Sequence, residues 1–514
     1  MTDSSLNAAR RRADLIALGD RPDVDVLVIG GGVTGTGVAL DAATRGLRTV
    51  LVEARDLAFG TSRWSSKLAH GGLRYLASGR VGVARESAVE RGILMTRTAP
   101  HLIRPLPQVV PLLPEISRKQ EWLVHLGFRA GDALRTVAGT PSSVLPRPRR
   151  IDAAETVRLV PAVRRTGLRG GLLAYDGQLV DDARLVVAIA RTAAEHGAAI
   201  LTRVRASGVT GESAELTDVL TGETLTVRAE AVINATGVWA GTVDPSVRLR
   251  PSRGTHLVVP AEALGHPRGA LTVPVPGSVS RYVFALPQQH SRVLIGLTDV
   301  EAPGEIPDVP RPTAEEVSFL LDTVNAALGS RLGADDVVGS FAGLRPLIET
   351  DGAADGSTAD LSRKHAVLRA PSGVITVVGG KLTTYRRMAE DAVDAAVARL
   401  RPGSAGRCRT PYVPLIGAPG HPMSQRAPAG VREELIRRHG GAAASVVDSA
   451  TVADPLAPIA EGLDVTRAEV EYAVRHEGAL DVDDVMDRRT RIGLVQADAE
   501  RARPAVQEIV DAAG

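Results

Sequence analysis

One cysteine, Cys408, serves the whole 514-residue chain. That excludes an internal disulfide, a Cys-x-x-Cys redox pair and a cysteine-ligated zinc site, and it fits a reducing compartment. Lysine is nearly as scarce. Lys67, Lys119, Lys364 and Lys381 are the four lysines, and the other 57 of the 61 basic residues are arginine. Each lysine therefore invites a question about its role. Aromatic residues make up 3% of the chain, so the core must be built from aliphatic side chains and alanine. A net charge of +2 points to neither an acidic tail nor a general nucleic-acid footprint. No apolar run reaches the length of a membrane-spanning helix. The stretch after Arg10-Arg11-Arg12 is broken by Asp14 and by Gly19-Asp20, too short and too polar for a secretory signal. The HExxH, P-loop and Ser-elbow motifs are also missing, which removes metalloprotease, NTPase and hydrolase readings.

What is present looks like a soluble globular protein, with 44% apolar and 23% charged residues. Its length implies two or three domains. Residues 24–30 (VDVLVIG) are a β-branched apolar run and predict a buried strand. A helix rich in small residues follows over 33–45 and stops at Gly46; a second strand covers 48–53. Residues 5–18 predict a short helix ahead of the first strand. Later strands are expected at 230–234 and 374–378, each before a glycine turn, and a long helix at 383–400. Residues 247–300 read as short strands with turns, hence an antiparallel sheet. Gly and Pro cluster at 402–430, the mark of a linker, and a mostly helical tail follows. In that tail Thr466 and Glu469 form a capping box for a helix ending near Gly478. Asp483 and Asp484 read as a solvated helix start near Arg488 and Arg489.

The strongest single motif is Gly30-x-Gly32-x-x-Gly35, directly after a strand and opening a helix. The first glycine permits the tight turn, the second lets backbone approach a pyrophosphate, and the third allows helix to pack on strand. Val33 and Thr34 lie inside this turn. Glu53 ends the next strand, where a carboxylate can accept hydrogen bonds from a ribose. Alone the motif does not choose between FAD and NAD. Two later segments favour FAD: Ala235-Thr236-Gly237 after a strand, and Gly379-Gly380 before Lys381, Leu382 and Thr383. A chain that wraps a long flavin nucleotide returns to it repeatedly.

Taken together these segments resemble the FAD-dependent, respiratory glycerol-3-phosphate dehydrogenases within the D-amino-acid-oxidase-like flavoproteins. The resemblance rests on IGGGVTGTGVALDAATRGL at 29–47, VEARDLAFGTS at 52–62, SSKLAHGGLRYL at 65–76 and VDDARLV at 180–186. It continues with NATGVWA at 234–240, GTHLVVP at 254–260, IGLTDVE at 295–301, FAGLRPL at 341–347 and GGKLTTYR at 379–386. It runs in order over roughly residues 24–400 and more loosely beyond. Trp64 departs from it, standing where a smaller residue is usual. The resemblance implies an α/β fold: a Rossmann-like FAD-binding domain of the glutathione-reductase/D-amino-acid-oxidase type, an antiparallel-sheet substrate domain and a C-terminal helical domain. The FAD-binding segments would be about 20–98, 166–246 and 340–400, with substrate-side segments at 99–165 and 247–339. Residues 401–430 would be the linker and 431–514 the helical domain. The activity it implies is oxidation of sn-glycerol 3-phosphate to dihydroxyacetone phosphate, with electrons passed to a membrane quinone. An oxidase that uses oxygen, an amine or amino-acid oxidase and a non-catalytic flavin-bearing module are the rivals.

Oxidising a secondary alcohol by a flavin needs a hydride acceptor, a base and a clamp. Arginine suits a phosphate dianion, because its planar fork pairs two oxygens. In the family, residues matching Arg74, Arg345 and Arg363 face the substrate. Tyr75 is a candidate pocket residue. Thr61, Ser62, Ser65, Ser66, Lys67, His70, Gly71 and Gly72 belong to segments expected to run along a noncovalently bound FAD. His70 could equally be a core histidine. His256 is the better base candidate, although a structural hydrogen bond would also explain it. Lys381 would set a cation beside a helix N-terminus, near the charge of a reduced flavin. Thr383 and Thr384 either cap that helix or bond the flavin.

Residues 97–150 carry nine basic against three acidic side chains, with Val109, Val110, Leu112, Leu113, Trp122, Leu123, Leu126 and Phe128 interleaved. They are the candidate surface for peripheral attachment to the inner face of the cytoplasmic membrane, with an ordinary solvated face as the alternative. A homodimer stays open as an assembly.

Overall fold

The computed structural model describes residues 3–72, 80–278, 281–349 and 364–514. Arg74, Tyr75 and Arg363 lie outside the described residues. The first sheet runs in the order Ala366–Arg369, Ile375–Val378, Thr224–Asn234, Asp23–Ile29, Thr49–Glu53, Ala199–Thr202. Its middle pairs are parallel, with Ile29 opposite both Val52 and Asn234. The strand ends therefore bring Gly30, Glu53 and Ala235 to one edge. Helices Val33–Thr44, Asp182–Glu195 and Tyr385–Val397 pack on one another and cover one face. Val26, Val28, Leu51, Ile189, Ile233, Val377 and Val393 fill that layer. Leu27, Val50, Val52, Leu201 and Val232 fill the layer beneath the other face. A strand covered on both faces reads as a continuous apolar run, which is why VDVLVIG was legible.

Among the described residues the second sheet has ten strands and is mainly antiparallel. Leu249–Pro260 lies between Gly339–Ile348 and Arg292–Gly296, and Ile103–Pro111 lies between Ala270–Pro274 and Gly171–Leu179. Alternation divides Leu249–Pro260 by face. Leu257 and Val259 join Leu320 and Val324 of helix Ala314–Asn325 in one core. Ser252, Gly254, His256 and Val258 point the other way. Opposite the first three stand Arg345, Gly343 and Phe341.

The tail folds as helices around Val470, Val474, Val485, Val506 and Ile509. The Thr466–Glu469 capping box forms as expected, and its helix is Arg467–His476. Asp484 corrects the sequence reading. Asp481 caps the short helix Val482–Asp484, but Asp484 is buried rather than solvated, paired with Arg203 and Arg488. Within the Gly/Pro-rich stretch, Leu415, Ile416 and Ala418 are buried, and His421 bonds Glu195 at 2.8 Å. Residues 97–150 divide as well. Val109, Val110, Leu112 and Leu113 are core, because the strand Ile103–Pro111 sits inside the sheet. Trp122, Leu123 and Leu126 are exposed on helix Arg118–Val137, and Phe128 is half-buried.

Candidate active site

The nucleotide cradle is built by glycines that leave no room for a side chain. Gly30 has φ 115°, and a Cβ there would lie 2.6 Å from the Ala235 carbonyl oxygen. A Cβ on Gly35 would lie 1.9 Å from the Gly30 carbonyl oxygen. Gly32 caps helix Val33–Thr44 without a side chain, and the Val33 N–H donates to Ser62 Oγ at 2.9 Å. Thr34 is half-buried at the helix start. Glu53 accepts from the Gly31 N–H at 2.7 Å and from the Arg55 N–H at 2.8 Å. Desolvation nevertheless holds its carboxyl above the ordinary range. The Ala235-Thr236-Gly237 turn is pinned by buried Asn234, which accepts from the Thr236 hydroxyl at 2.7 Å and donates to the Ala240 carbonyl at 3.0 Å.

Gly379 and Gly380 both have positive φ, and a Cβ on Gly380 would strike Met388 Sδ at 2.4 Å. Lys381 donates to Ser87 Oγ. Neither threonine caps the helix. Thr384 Oγ1 donates to the Lys381 carbonyl at 3.2 Å, and no side chain caps Tyr385–Val397. Thr383 is buried with its hydroxyl unpartnered. Leu382 begins the same short turn. A cradle this tight, with the Glu53 carboxylate at the end of the neighbouring strand and, among the described residues, an unpartnered buried hydroxyl on Thr383, fits FAD.

The segment 61–67 crosses from this cradle to the second sheet. Thr61 Oγ1 donates to the Leu344 carbonyl at 2.7 Å, and Ser62 takes the Val33 N–H. Trp64 packs against Gly343, where a Cβ would lie 2.7 Å from Trp64 Cβ. Ser65 Oγ accepts from the Lys67 N–H at 3.0 Å, and Ser66 Oγ stands 2.8 Å from His256 Nε2. Lys67 is held in place by its charge: its ammonium donates to both oxygens of Asp182 at 2.9 Å and to the Arg63 carbonyl at 3.0 Å. That buried pair commits the Lys67 side chain to Asp182, and its backbone carbonyl accepts from the Leu179 N–H at 2.8 Å. The Gly71 N–H donates to Asp176, which Arg91 pairs at 2.6 Å. His70 and Gly72 flank it, His70 half-buried and Gly72 with φ 81°.

His256 is 2% exposed and stacks on Phe341 at 4.7 Å. Burial, with Lys67 and Arg345 nearby, lowers its imidazole to about 3, so the ring is neutral. Arg345 donates to Ser252 Oγ and Asp299 at 3.3 Å and to the Thr298 carbonyl at 3.2 Å. Two glycines make room for these groups. A Cβ on Gly254 would meet the Arg345 guanidinium at 2.3 Å, and one on Gly296 would meet the His256 ring at 2.3 Å. Sequence reasoning missed Asp182, Phe341, Ser252 and Asp299 as partners. Asp182 and Phe341 stood inside quoted motifs, VDDARLV and FAGLRPL, but pairing across strands is not written in a linear pattern.

Residues 25–386 match the family described as FAD dependent oxidoreductase, and residues 408–514 match the C-terminal domain of alpha-glycerophosphate oxidase. The chain is 62% identical to glycerol-3-phosphate dehydrogenase 1 of Mycobacterium tuberculosis (strain ATCC 25618 / H37Rv), over 99% of this chain and 98% of the relative. The chain belongs to the FAD-dependent glycerol-3-phosphate dehydrogenases. Within that family it is 34% identical to a mitochondrial glycerol-3-phosphate dehydrogenase of Arabidopsis thaliana, over 99% of this chain and 85% of that one. The glycerol-3-phosphate dehydrogenase from Bacillus halodurans, solved in complex with FAD, superposes with a TM-score of 0.73 at 27% identity. That match covers 99% of this chain and 94% of the other. The cofactor of this dehydrogenase is FAD, and the D-amino-acid-oxidase type of fold expected from the sequence is the fold observed.

Proposed function

We propose that this dehydrogenase oxidises sn-glycerol 3-phosphate to dihydroxyacetone phosphate and passes the electrons to a membrane quinone. One observation carries the reading. His256 and Arg345 occupy one face of the second sheet, and the short segment 61–67 joins that face to the nucleotide cradle. Relatives named glycerol-3-phosphate dehydrogenase support the substrate class. FAD, when bound, supplies the acceptor for the hydride that leaves the carbinol carbon.

The chain's own residues have distinct tasks in this reading. The Gly30–Gly35 turn and Glu53 hold the nucleotide, with Ala235-Thr236-Gly237 and Gly380-Lys381-Leu382-Thr383 along its length. Arg345 fixes the substrate phosphate, its fork oriented by Ser252, Asp299 and Thr298. Arg74, Tyr75 and Arg363, outside the described residues, are the further substrate contacts the sequence suggests. His256, neutral and buried, takes the hydroxyl proton. Lys381 contributes positive charge near the helix Tyr385–Val397.

Among the described residues no helix is long and apolar enough to cross a membrane. Quinone access then requires peripheral attachment, at the inner face of the cytoplasmic membrane, for which the exposed face of helix Arg118–Val137 is the candidate. Anaerobic addition of glycerol 3-phosphate to the purified yellow protein tests the core of the reading. The oxidised-flavin absorbance should bleach and return on adding a quinone analogue, and acid precipitation should release all flavin. No bleaching would defeat the substrate assignment. Rapid peroxide release under air, with no quinone reduction, would make the enzyme an oxidase.

A further inference from the structure

His256 is 2% exposed, whereas Ser66 is half-buried, and the two are joined by a 2.8 Å contact between Ser66 Oγ and His256 Nε2. A substrate large enough to carry a phosphate cannot reach an imidazole so enclosed without moving the sheet around it. Ser66, half-buried, is the more accessible residue of the pair. What keeps the imidazole turned toward Ser66 is also visible. A histidine ring is commonly oriented by a hydrogen bond on its other nitrogen, but His256 Nδ1 has no hydrogen-bond partner among the described residues. Packing does the orienting instead. The His256 ring lies on Phe341 at 4.7 Å and 14°, and Phe341 lies on Trp64 at 5.4 Å and 28°. The guanidiniums of Arg63 and Arg491 lie over Trp64 at 4.2 and 5.2 Å. Arg491 comes from the C-terminal region and is anchored by a 2.7 Å bond to the Arg63 carbonyl. Trp64 keeps its indole N–H buried and unpartnered, a cost that a plain aliphatic core residue would avoid.

Resting on the reading of His256 as the base, we propose that Ser66 is a catalytic proton relay, receiving the substrate hydroxyl proton at Oγ while passing its own to His256 Nε2. The stack of Phe341 and Trp64 positions the imidazole for that transfer. The step balances: the substrate O–H and Ser66 O–H bonds break, the Ser66 O–H and His256 N–H bonds form, and the hydride leaves to the cofactor. With burial holding the imidazole neutral, the relay uses the tautomer whose proton sits on Nδ1, which leaves the Nε2 lone pair facing Ser66 Oγ.

The test is anaerobic stopped-flow reduction of the FAD-loaded enzyme by glycerol 3-phosphate, with Ser66→Ala, Ser66→Thr and His256→Asn variants. Ser66→Ala should slow flavin reduction by about 10²-fold, within the usual range for a lost proton-transfer group. It should keep its FAD and its apparent substrate affinity, and lose part of the solvent deuterium isotope effect. Ser66→Thr, which keeps the hydroxyl, should restore most of the rate. Phe341→Leu should slow reduction with affinity retained. If His256→Asn is slow while Ser66→Ala reduces at the normal rate with an unchanged isotope effect, the relay is wrong and the base stands. If His256→Asn is itself fast, the base assignment falls and takes the relay with it. Loss of bound FAD in both Ser66 variants would assign the residue to the cofactor and overturn the proposal.

Discussion

The Arg345 guanidinium stands 3.3 Å from the carboxylate of Asp299, which directly precedes the short strand Val300–Glu301. Ser252, directly opposite Arg345 in register, joins the same group through its hydroxyl. The fork is thus oriented before any substrate arrives, and its orientation depends on the planarity that lysine lacks. Arg345→Lys should raise KM for glycerol 3-phosphate by an amount corresponding to about 2–3 kcal/mol, with FAD content unchanged. Steady-state kinetics and the flavin-to-protein ratio check this together. An unaltered KM would move the phosphate site away from Arg345.

His256 leads to a pH prediction. Burial lowers the imidazole most, Lys67 and Arg345 act in the same direction by opposing protonation, and Asp182, which favours it, is outweighed, so the imidazole falls to about 3. A base acts in its unprotonated form. With its affinity for protons lowered, His256 stays competent as pH falls, so flavin reduction should show no acid limb from this residue between pH 8 and pH 5. His256→Ala should lower kcat by roughly 10²–10⁴ across that whole range. An acid limb near pH 6.5 that disappears in His256→Ala would show the imidazole to be solvated, against the burial seen here.

The parts of this site that lie along the chain were legible in the sequence; those that lie across it were not. Gly30, Gly35 and Glu53 announce themselves because a strand, a tight turn and a helix follow at fixed spacing. His256 stood out as a polar residue in an apolar strand. Nothing in the linear pattern tells that Lys67 pairs with Asp182, or that Trp64 is the end of an aromatic stack. Those depend on strand register and on a loop crossing between sheets. The apolar residues expected at one surface over 97–150 divide between core and surface for a related reason. A buried mid-sheet strand and an amphipathic helix carry similar composition, and only neighbours distinguish Val109 from Trp122.

The C-terminal region is docked by a buried ion pair that should make stability acid-sensitive. Arg184, on helix Asp182–Glu195, forks onto Glu477 with bonds of 2.7 and 3.0 Å. Although burial raises the Glu477 carboxyl, Arg184, His439 and Arg191 outweigh it and hold it at about 2. The stabilisation from this carboxylate is therefore fully present above its ordinary unfolded value, near 4.5, and is lost as pH falls toward 2. Glu477→Gln leaves Arg184 buried without its counter-charge, which typically costs about 3–5 kcal/mol. Thermal unfolding at pH 7 should give a lower Tm for the variant, and its Tm should depend less on pH below 4.5 than that of the parent. Equal Tm values at pH 7 would show the pair to be dispensable for docking.

The proposed membrane contact can be tested on one helix. Arg118–Val137 is started by a Ser117–Gln120 capping box and is therefore a well-formed element. Trp122, Leu123 and Leu126 lie exposed on it, with exposures of 61, 46 and 50%. Arg118, Lys119 and Arg129 are exposed at helical spacing on the same face. Large apolar groups ringed by cations suit the headgroup region of an anionic bilayer, where each cation contributes about 1 kcal/mol near the surface. Glu121 is shared among Arg150 at 3.2 Å, Arg169 at 2.9 Å and Arg118 at 3.3 Å, so of the face's cations Arg118 is partly neutralised. Replacing Arg118, Lys119 and Arg129 by serine should release the protein from anionic vesicles in flotation. Trp122→Ser should weaken binding at high salt as well, since an inserted indole is not screened. Both variants should lose quinone-linked turnover and keep activity with a soluble dye, because the changes lie outside the catalytic sheet face. Unchanged flotation and unchanged quinone turnover in both would remove this helix as the membrane contact.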